Sequence, residues 1–293
     1  MVARATAAGR QRPARHPAVA AAALRQLTDL LAGADVMVLS GAGISTESGI
    51  PDYRGPSGAA RRASPMTVQT FTGDPVARRR YWARSQLGWR LVGTARPNGG
   101  HAAVAGLQRC GLLNGVVTQN VDGMHQAAGT AGVIDLHGRL DRVRCLDCGR
   151  LSGRAELDSR LRAANADWRA VAAGVNPDGD VELPDSALDG FRTVDCTACA
   201  GVLKPDVVFF GETVPPSRVE RCYDLLAGSR ALLVLGSSLT VMSGYRFVLR
   251  AARDGRPVAI VNQGATRGDR YAAVTVEAPL GQVLPALVAR LAG

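Results

Sequence analysis

Short apolar runs bounded by turn residues alternate along the chain with longer segments whose apolar residues recur at helical spacing. Helical spacing is clear in Val19–Leu31 and Val219–Leu226. Because the short runs are apolar at nearly every position, they predict a parallel sheet covered by helices on both faces. The fold class is therefore α/β, with ligands expected beyond the carboxyl ends of the strands. The predicted strands are Val36–Leu39, Val116–Thr118, Val133–Leu136, Val207–Phe210, Leu232–Leu235, Val258–Val261 and Val274–Val276.

Two segments interrupt this alternation. Residues 56–100 carry Arg, Trp and Tyr at helical spacing and are predicted to be a helical insertion. Residues 141–203 are bracketed by two cysteine pairs and predict a small separate module. The large α/β domain then comprises residues 19–140 and 204–293, and residues 1–18 are expected to form a disordered tail.

Composition narrows the class of protein. The 293 residues are 46% hydrophobic and 20% charged, and no apolar run is long enough for a membrane span. The net charge is +10, and nearly all of the positive side chains are arginine, because Lys204 is the only lysine. Since these arginines are scattered, they favour a solvated surface over a nucleic-acid interface. We expect neither a membrane nor a nucleic acid as a partner, and the oligomeric state stays open.

The N-terminal residues bear on location. They are rich in arginine and contain no apolar core, which excludes a signal peptide and is weakly similar to an organellar transit peptide. We expect a cytoplasmic protein.

The loop Ser40–Gly55, directly after the first predicted strand, is rich in glycine and polar residues. Gly41 and Gly43 permit tight backbone geometry and close approach of amides to a pyrophosphate. A glycine turn alone is a weak nucleotide signal. The polar residues that follow are more than a structural turn requires; they are Ser45, Glu47, Asp52, Tyr53 and Arg54.

A second polar cluster ends the strand at Val116–Thr118. Gln119, Asn120 and Asp122 follow it, at the edge of the sheet where ligands bind. Asn120 and Asp122 also suit an Asx turn that joins a strand to a helix. From spacing alone, a ligand site and a turn remain equally good interpretations.

Histidines offer a candidate base. His137 ends the strand at Val133–Leu136 and points at the same edge of the sheet, where a neutral imidazole could accept a proton. A packed structural histidine is the alternative. His101 and His125 are weaker candidates, because each lies at the start or in the interior of a predicted helix.

Two Cys-x-x-Cys pairs, Cys145 with Cys148 and Cys196 with Cys199, predict a structural zinc site, because four thiolates complete a tetrahedron. The spacer between the pairs is longer than the roughly 15–20 residues of a zinc ribbon. A redox or disulfide role is the alternative. Cys110 and Cys222 are predicted to be buried structural thiols.

Together these motifs resemble the sirtuin family, the NAD-dependent protein deacylases. The resemblance extends from about Val36 to Leu284 and is similar to the class II branch, which occurs in bacteria and mitochondria. The branch is indicated by the stretches STESGIPDYRG, YWARS (Tyr81–Ser85) and NQGATRGD (Asn262–Asp269). The family motifs are Gly41–Arg54, Thr118–Asp122, Leu136–Gly138, both cysteine pairs, Leu203–Glu212 and Gly236–Leu239.

The resemblance implies a Rossmann-like domain and a small zinc module, with NAD and acyl-lysine meeting between them. The four cysteines would bind zinc, and His137 with Asn120 would act in catalysis. The residues implied to bind NAD are Gly41, Ala42, Gly43, Ser45, Thr46, Ile50, Asp52, Tyr53, Arg54, Gln119, Asn120, Asp122, His137, Gly236, Ser237, Ser238, Asn262, Gln263, Gly264 and Leu280.

The implied reaction releases nicotinamide as the acyl oxygen attacks the ribose, and yields deacylated lysine and O-acyl-ADP-ribose. Acyl-lysine proteins or peptides would be the substrates, held as an extra strand between Val208–Glu212 and Ser238–Ser243. Mono-ADP-ribosyl transfer to a protein is the alternative activity. A non-enzymatic sensor of NAD or ADP-ribose is a third possibility.

Tyr81 and Arg84 have the spacing of a pair that selects succinyl-lysine in another sirtuin class. Because they fall in the predicted helical insertion, we expect a structural role outside the acyl pocket. Tyr53 stands where the family commonly has Phe, and Phe209 or Phe210 where it has Trp. We expect activity to survive these changes.

Overall fold

The computed structural model describes residues 17–33, 35–53, 65–170, 176 and 180–292. Within them, parallel strands form a six-stranded sheet. Its strands are β1 (Val36–Ser40), β2 (Leu113–Thr118), β3 (Val133–Asp135), β7 (Ala231–Leu235), β8 (Val258–Val261) and β9 (Val274–Val276). They lie in the order β3-β2-β1-β7-β8-β9, which confirms the predicted α/β class.

Each central strand supplies apolar side chains to both faces of this sheet. In β1, Val36 and Val38 enter one core, whereas Met37 and Leu39 enter the other. Side chains alternate between the two faces of a strand, so an all-apolar strand requires a cover on both sides. Helices α1 (Pro17–Leu31), α4 (Gly99–Arg109) and α9 (Leu280–Leu291) cover the first face; α7 (Pro216–Ala227) and α8 (Met242–Arg253) cover the second.

A second, antiparallel sheet lies beside the large one. It consists of β4 (Gly138–Cys145), β5 (Leu151–Gly153) and β6 (Leu203–Val207), in the order β5-β4-β6. It shares one hydrophobic core with helices α2 (Val68–Gly73), α3 (Pro75–Val92) and α6 (Arg154–Ala164). A short helix, α5 (Met124–Ala127), follows β2.

Several boundaries differ from those predicted. The predicted strand Val207–Phe210 is wrong: β6 ends at Val207 and pairs with β4, not with the main sheet. The helical insertion packs with the small sheet, because Phe71, Tyr81 and Trp82 join the core of Leu157 and Leu203. The predicted domain limits therefore stay a prediction.

Some predicted segments lie outside the described residues. These are residues 1–16 of the predicted tail and residues 56–64 of the helical insertion; α1 begins at Pro17. No helix in the described part of the chain is long and apolar enough to span a bilayer.

The sheet core supplies a first prediction. Val234 in β7 is fully buried. The substitution Val234→Ala should lower the free energy of unfolding by about 2 kcal/mol, because buried methyl groups are lost and a cavity remains. The same change at Val76, 55% exposed in α3, should cost less than about 0.5 kcal/mol. Urea unfolding of both variants measures the difference, and equal losses would contradict the assignment of the core.

Candidate active site

A cavity of about 910 Å³ opens at the carboxyl ends of the central parallel strands. The residues that follow four of these strands line it: Gly41 after β1, Gln119 after β2, Gly236 after β7 and Asn262 after β8. Phe209 and Tyr81, from the core of the small sheet, line the opposite wall. The cavity therefore lies between the two cores, at the edge of the sheet where ligands were expected.

Glycines let the loops after β1 and β7 cross in contact. A Cβ on Gly41 would lie 2.8 Å from the Gly236 oxygen, and one on Gly43 would lie 2.8 Å from the Gly236 Cα. Gly236 has a φ of +60°, and its own Cβ would lie 2.5 Å from the Ile44 nitrogen. The Gly43 N–H donates to the Gly236 oxygen at 2.8 Å. The space that Gly41 and Gly43 leave open is thus occupied by the backbone of the loop after β7. Together the two loops form a wall of the cavity.

Asn120 joins the end of β2 to the loop after β1. Its Nδ2 donates to the Gly41 oxygen at 3.1 Å and to Ser45 Oγ at 3.0 Å. Ser45 Oγ donates in turn to Asp122 Oδ2 at 2.7 Å. Because Nδ2 is engaged in both bonds, the Asn120 Oδ1 has a fixed direction and can accept a hydrogen bond from a ligand.

The turn interpretation of this cluster is confirmed, whereas the ligand-site interpretation stays a prediction. Asp122 Oδ1 accepts the Met124 N–H at 2.9 Å, which is the turn that starts α5. Asp122 and Asn120 also line the cavity. Gln119 lines it as well, and its Oε1 accepts from Ser237 Oγ at 2.7 Å, so the ends of β2 and β7 are tied together.

His137 lines the cavity with a neutral imidazole. Its Nδ1 lies 2.8 Å from the Gln119 oxygen, and its Nε2 lies 2.8 Å from Ser243 Oγ. A carbonyl oxygen only accepts, so the proton is on Nδ1 and the Nε2 lone pair accepts from Ser243. Burial lowers the pKa of His137 below its usual 6.5, and the positive charge of Arg218 lowers it further, whereas the bond to Gln119 opposes the shift.

The four paired cysteines converge away from this cavity. Their Sγ atoms all lie within 4.8 Å of one another, with Cys145 and Cys199 at 3.5 Å and Cys148 and Cys196 at 3.9 Å. Zinc with bonds of about 2.3 Å places its sulfur ligands about 3.8 Å apart, so the cluster fits a tetrahedral zinc ion. All four ligands are thiolates, and a structural role follows because no position is open to a substrate.

Of the two other thiols, one differs from its prediction. Cys222 is buried, as expected, and burial raises its pKa to about 12. Cys110 is exposed, so the prediction of a buried thiol is wrong there. It follows the last turn of α4, on the solvent side of the helix end, which apolar neighbours in the sequence did not reveal.

The cavity brings together most of the predicted site residues. Those that line it are Gly41, Ala42, Gly43, Ser45, Ile50, Asp52, Tyr53, Gln119, Asn120, Asp122, His137, Gly236, Ser237, Ser238, Asn262, Gln263 and Gly264. Two are not part of the lining. The Thr46 hydroxyl donates to the Gly43 oxygen at 3.0 Å, and Leu280 is buried in the core at the start of α9. Arg54 lies outside the described residues.

Other lining residues escaped the sequence analysis. Glu277 follows β9 without a motif. Ser243 was expected only as the end of a segment beside the peptide, and its contact with His137 was not predicted. Tyr81 was expected outside the pocket, but it lines the cavity and packs against Phe209 with ring centres 5.3 Å apart. Arg84 does have a structural role, since its Nε donates to the Val181 oxygen at 2.6 Å.

Comparisons with known proteins agree on one family. The family model described as "Sir2 family" matches residues 41–243. An NAD-dependent protein deacetylase 1 of Streptomyces coelicolor is 63% identical over 268 residues, covering 92% of this chain and 90% of the relative. A Mycobacterium avium protein of the same name is 51% identical over 271 residues, covering 91% and 95%. The solved structure "Sir2-p53 peptide-NAD+" has a TM-score of 0.74 at 28% identity, covering 91% of this chain and 97% of that one.

The cysteine cluster predicts one tightly bound zinc ion per chain. Cys145→Ser should lose the metal and precipitate or melt at a lower temperature, because structural zinc contributes directly to folding free energy. Cys110→Ser, at an exposed thiol outside the cluster, is the control and should keep the zinc ion and the wild-type melting temperature. Elemental analysis with thermal unfolding measures the effect. Freshly purified wild-type protein without stoichiometric zinc would refute the site.

Proposed function

The chain belongs to the Sir2 family, the sirtuins, and we propose that it is an NAD-dependent protein-lysine deacylase. It cleaves NAD to nicotinamide and transfers the acyl group of an acyl-lysine to ADP-ribose. Its relatives at 63% and 51% identity are named NAD-dependent protein deacetylases. The observation that carries the proposal is one cavity in which the oriented Oδ1 of Asn120 and the neutral base His137 face the same space.

NAD supplies the bond that breaks, between nicotinamide and ribose. We assign Gln119 and Asn120 to the nicotinamide ribose, and Ile50 with Asp122 to the carboxamide. Ser45 supports this assignment because its hydroxyl already fixes both Asn120 and Asp122. The loops after β7 and β8 then take the adenosine side of the cofactor, through Gly236, Ser237, Ser238, Asn262, Gln263 and Gly264.

Among the described residues, no arginine or lysine lines the cavity. The sign of the lining matters because the reaction places charge on the substrate. Breaking the nicotinamide bond leaves positive charge on the ribose. Oriented oxygens of Asn120 and Asp122 stabilise such charge better in a water-poor cavity than in bulk solvent. Asp52, Tyr53 and Arg54 belong to the loop that we assign to covering the nicotinamide end.

His137 acts as the general base. Its Nε2 lone pair accepts from Ser243 at the cavity wall, so a ribose hydroxyl that replaces the Ser243 hydroxyl can give its proton to Nε2 while Nδ1–H stays bonded to the Gln119 carbonyl. Its lowered pKa keeps it neutral near pH 7.

Acyl-lysine proteins or peptides are the second substrate. The segments Val208–Glu212 and Ser238–Ser243 supply lining residues on two sides of the cavity. We assign the peptide to the space between them as an added strand, which reads backbone more than sequence. Within the family we place the chain in the class II branch, on the sequence stretches Ser45–Gly55, Tyr81–Ser85 and Asn262–Asp269. Cysteines gathered into a zinc site and not into disulfides are typical of a reducing compartment, which supports the cytoplasm as the location.

Product analysis tests the function. The protein is incubated with NAD and a panel of acyl-lysine peptides, and the products are identified by mass. O-acyl-ADP-ribose, nicotinamide and free lysine peptide in equal amounts support deacylation. Covalently ADP-ribosylated protein and nicotinamide, without O-acyl-ADP-ribose or free lysine peptide, support the transferase activity instead. An absence of nicotinamide release with every peptide would refute both enzymatic functions.

His137→Ala should reduce deacylation about 10²- to 10⁴-fold, the usual effect of removing a positioned base. The melting temperature and the affinity for NAD should stay near wild type. Nicotinamide exchange should fall less than deacylation, because the base acts after nicotinamide has left. Parallel losses of exchange, deacylation and melting temperature would instead identify His137 as a structural residue.

The pH profile supplies a separate prediction. A base with a pKa below 6.5 is mostly neutral at pH 7 and becomes mostly protonated, and inactive, only below pH 6.5. The value of kcat/KM for the acyl-peptide should therefore fall in acid solution, with the midpoint of the fall below pH 6.5. An acid limb centred above pH 6.5 would contradict the assignment of the base.

A further inference from the structure

Two buried histidines lie next to each other outside the cavity lining. His101 in α4 is 0% exposed and His125 in α5 is 1% exposed, and their rings meet edge to face with centres 5.1 Å apart. Each has one nitrogen with a hydrogen-bond partner. The other nitrogen, Nε2 of His101 or Nδ1 of His125, is buried without a partner. Two such atoms on neighbouring rings require an explanation, because an unpaired buried polar atom is destabilising.

The neighbours of the two rings determine where their protons lie. The Asn98 backbone N–H donates to His101 Nδ1 at 3.3 Å, so neutral His101 carries its proton on Nε2. Ser40 Oγ donates to Thr118 Oγ1 at 2.9 Å. It therefore accepts from His125 Nε2, which lies 2.8 Å away. The Nδ1 of His125 is then a lone pair, and the two unpartnered atoms are one donor and one acceptor.

The spacing of the rings suits a bond between these atoms. Two imidazoles joined by an N–H···N bond of about 2.9 Å have ring centres about 5 Å apart. Both rings are neutral, as the bond requires. Burial, aided by His101, lowers the pKa of His125 to about 3. Burial lowers the pKa of His101 too, against the opposing charges of Asp122 and Glu47.

Both ends of this chain of bonds return to the loop after β1. At one end, Asn98 Nδ2 donates to the Ile44 oxygen at 2.7 Å. At the other, Thr118 Oγ1 accepts the Asn120 N–H at 3.1 Å, and Asn120 Nδ2 donates to the Gly41 oxygen. A link between the histidines is the one step missing from a closed circuit, which we call the buried circuit. Its members are Asn98, His101, His125, Ser40, Thr118 and Asn120.

His101 Nε2 and His125 Nδ1 form no direct hydrogen bond as the rings are placed. We propose that one bridging water, or a small rotation of the rings, links this donor to this acceptor, and that the link closes the buried circuit and fixes Asn120 against the loop after β1. His101 and His125 are thus positioning residues for the NAD reaction. The inference rests on the proposed function for the role of Asn120. The bond itself stands on the geometry and the proton assignments alone.

The bond is tested on the wild-type protein by nitrogen NMR of its imidazoles. Only four histidines are present, so their signals can be assigned by single substitutions. Both His101 and His125 should carry the proton on Nε2, and neither should titrate between pH 5 and 8. A proton on Nδ1 of His125, or a charged form of either ring in that range, overturns the proposal.

The positioning role is tested with substitutions at His125. His125→Phe keeps the shape of the ring but breaks the circuit, and should lower kcat about tenfold with little change in the KM for peptide. His125→Gln offers an adjacent donor and acceptor, and should restore kcat to within about threefold. Thr130→Val is the matched control: Thr130 is 4% exposed and its backbone N–H donates to the His125 oxygen, but it is outside the circuit.

The outcomes separate this proposal from the proposed function. Wild-type kcat in His125→Phe, or a loss in Thr130→Val as large as in His125→Phe, overturns the positioning role. A His125→Gln protein as impaired as His125→Phe overturns it as well. If the wild-type protein shows no deacylation at all, the proposed function fails, whereas the nitrogen spectra still decide whether the bond exists.

Discussion

The contact between the loops after β1 and β7 is the constraint on which the rest of the site depends. Gly41, Gly43 and Gly236 leave room for two backbones to touch, and a side chain on any of them would meet backbone atoms closer than 3 Å. Once the loops are in contact, the ends of four parallel strands surround one cavity. Asn120 and Gln119, from the neighbouring strand β2, then bond to both loops and hold them together.

The opposite wall of the cavity comes from the core that the small sheet shares with α2, α3 and α6. A salt bridge between Lys204 and Glu212, which we call the clamp, fixes this wall. Lys204 is 5% exposed, and its Nζ lies 2.9 Å from Glu212 Oε2 and 4.5 Å from the centre of the Phe209 ring. The same carboxylate oxygen accepts the Phe209 N–H at 2.9 Å. Only the lysine of this pair is buried, since the Glu212 side chain is 32% exposed. The pair stabilises mainly by fixing geometry, because desolvation of the lysine offsets part of the attraction. The clamp thus fixes Val208–Glu212, one of the two segments between which we assign the peptide.

Sequence periodicity was enough for the main sheet because its strands are buried on both faces. Val36–Leu39 and Leu232–Leu235 are therefore apolar throughout, a pattern that a helix of that length does not explain. The small sheet escaped detection because β5 has only three residues and is largely exposed. The run Val207–Phe210 is as apolar as a core strand, but all four of its residues line the cavity.

The candidate residues next to strand ends could be predicted once the strands were known, because the carboxyl ends of parallel strands lie at one edge of the sheet. The place of Tyr81 in the cavity and the contact of Ser243 with His137 were missed, because both depend on tertiary contacts that local patterns do not encode. The histidine pair illustrates the limit further. His101 and His125 each look like ordinary helix residues, and only their mutual distance and unpaired atoms give them a role.

The most direct test of this account is a crystal structure of the protein with NAD and an acyl-lysine peptide that turns over slowly. The account predicts the nicotinamide ribose within hydrogen-bond distance of Asn120 Oδ1, with a ribose hydroxyl next to His137 Nε2. The peptide should lie between Val208–Glu212 and Ser238–Ser243. A cofactor bound with its ribose away from Asn120 and His137, or a peptide bound outside that space, would contradict the account.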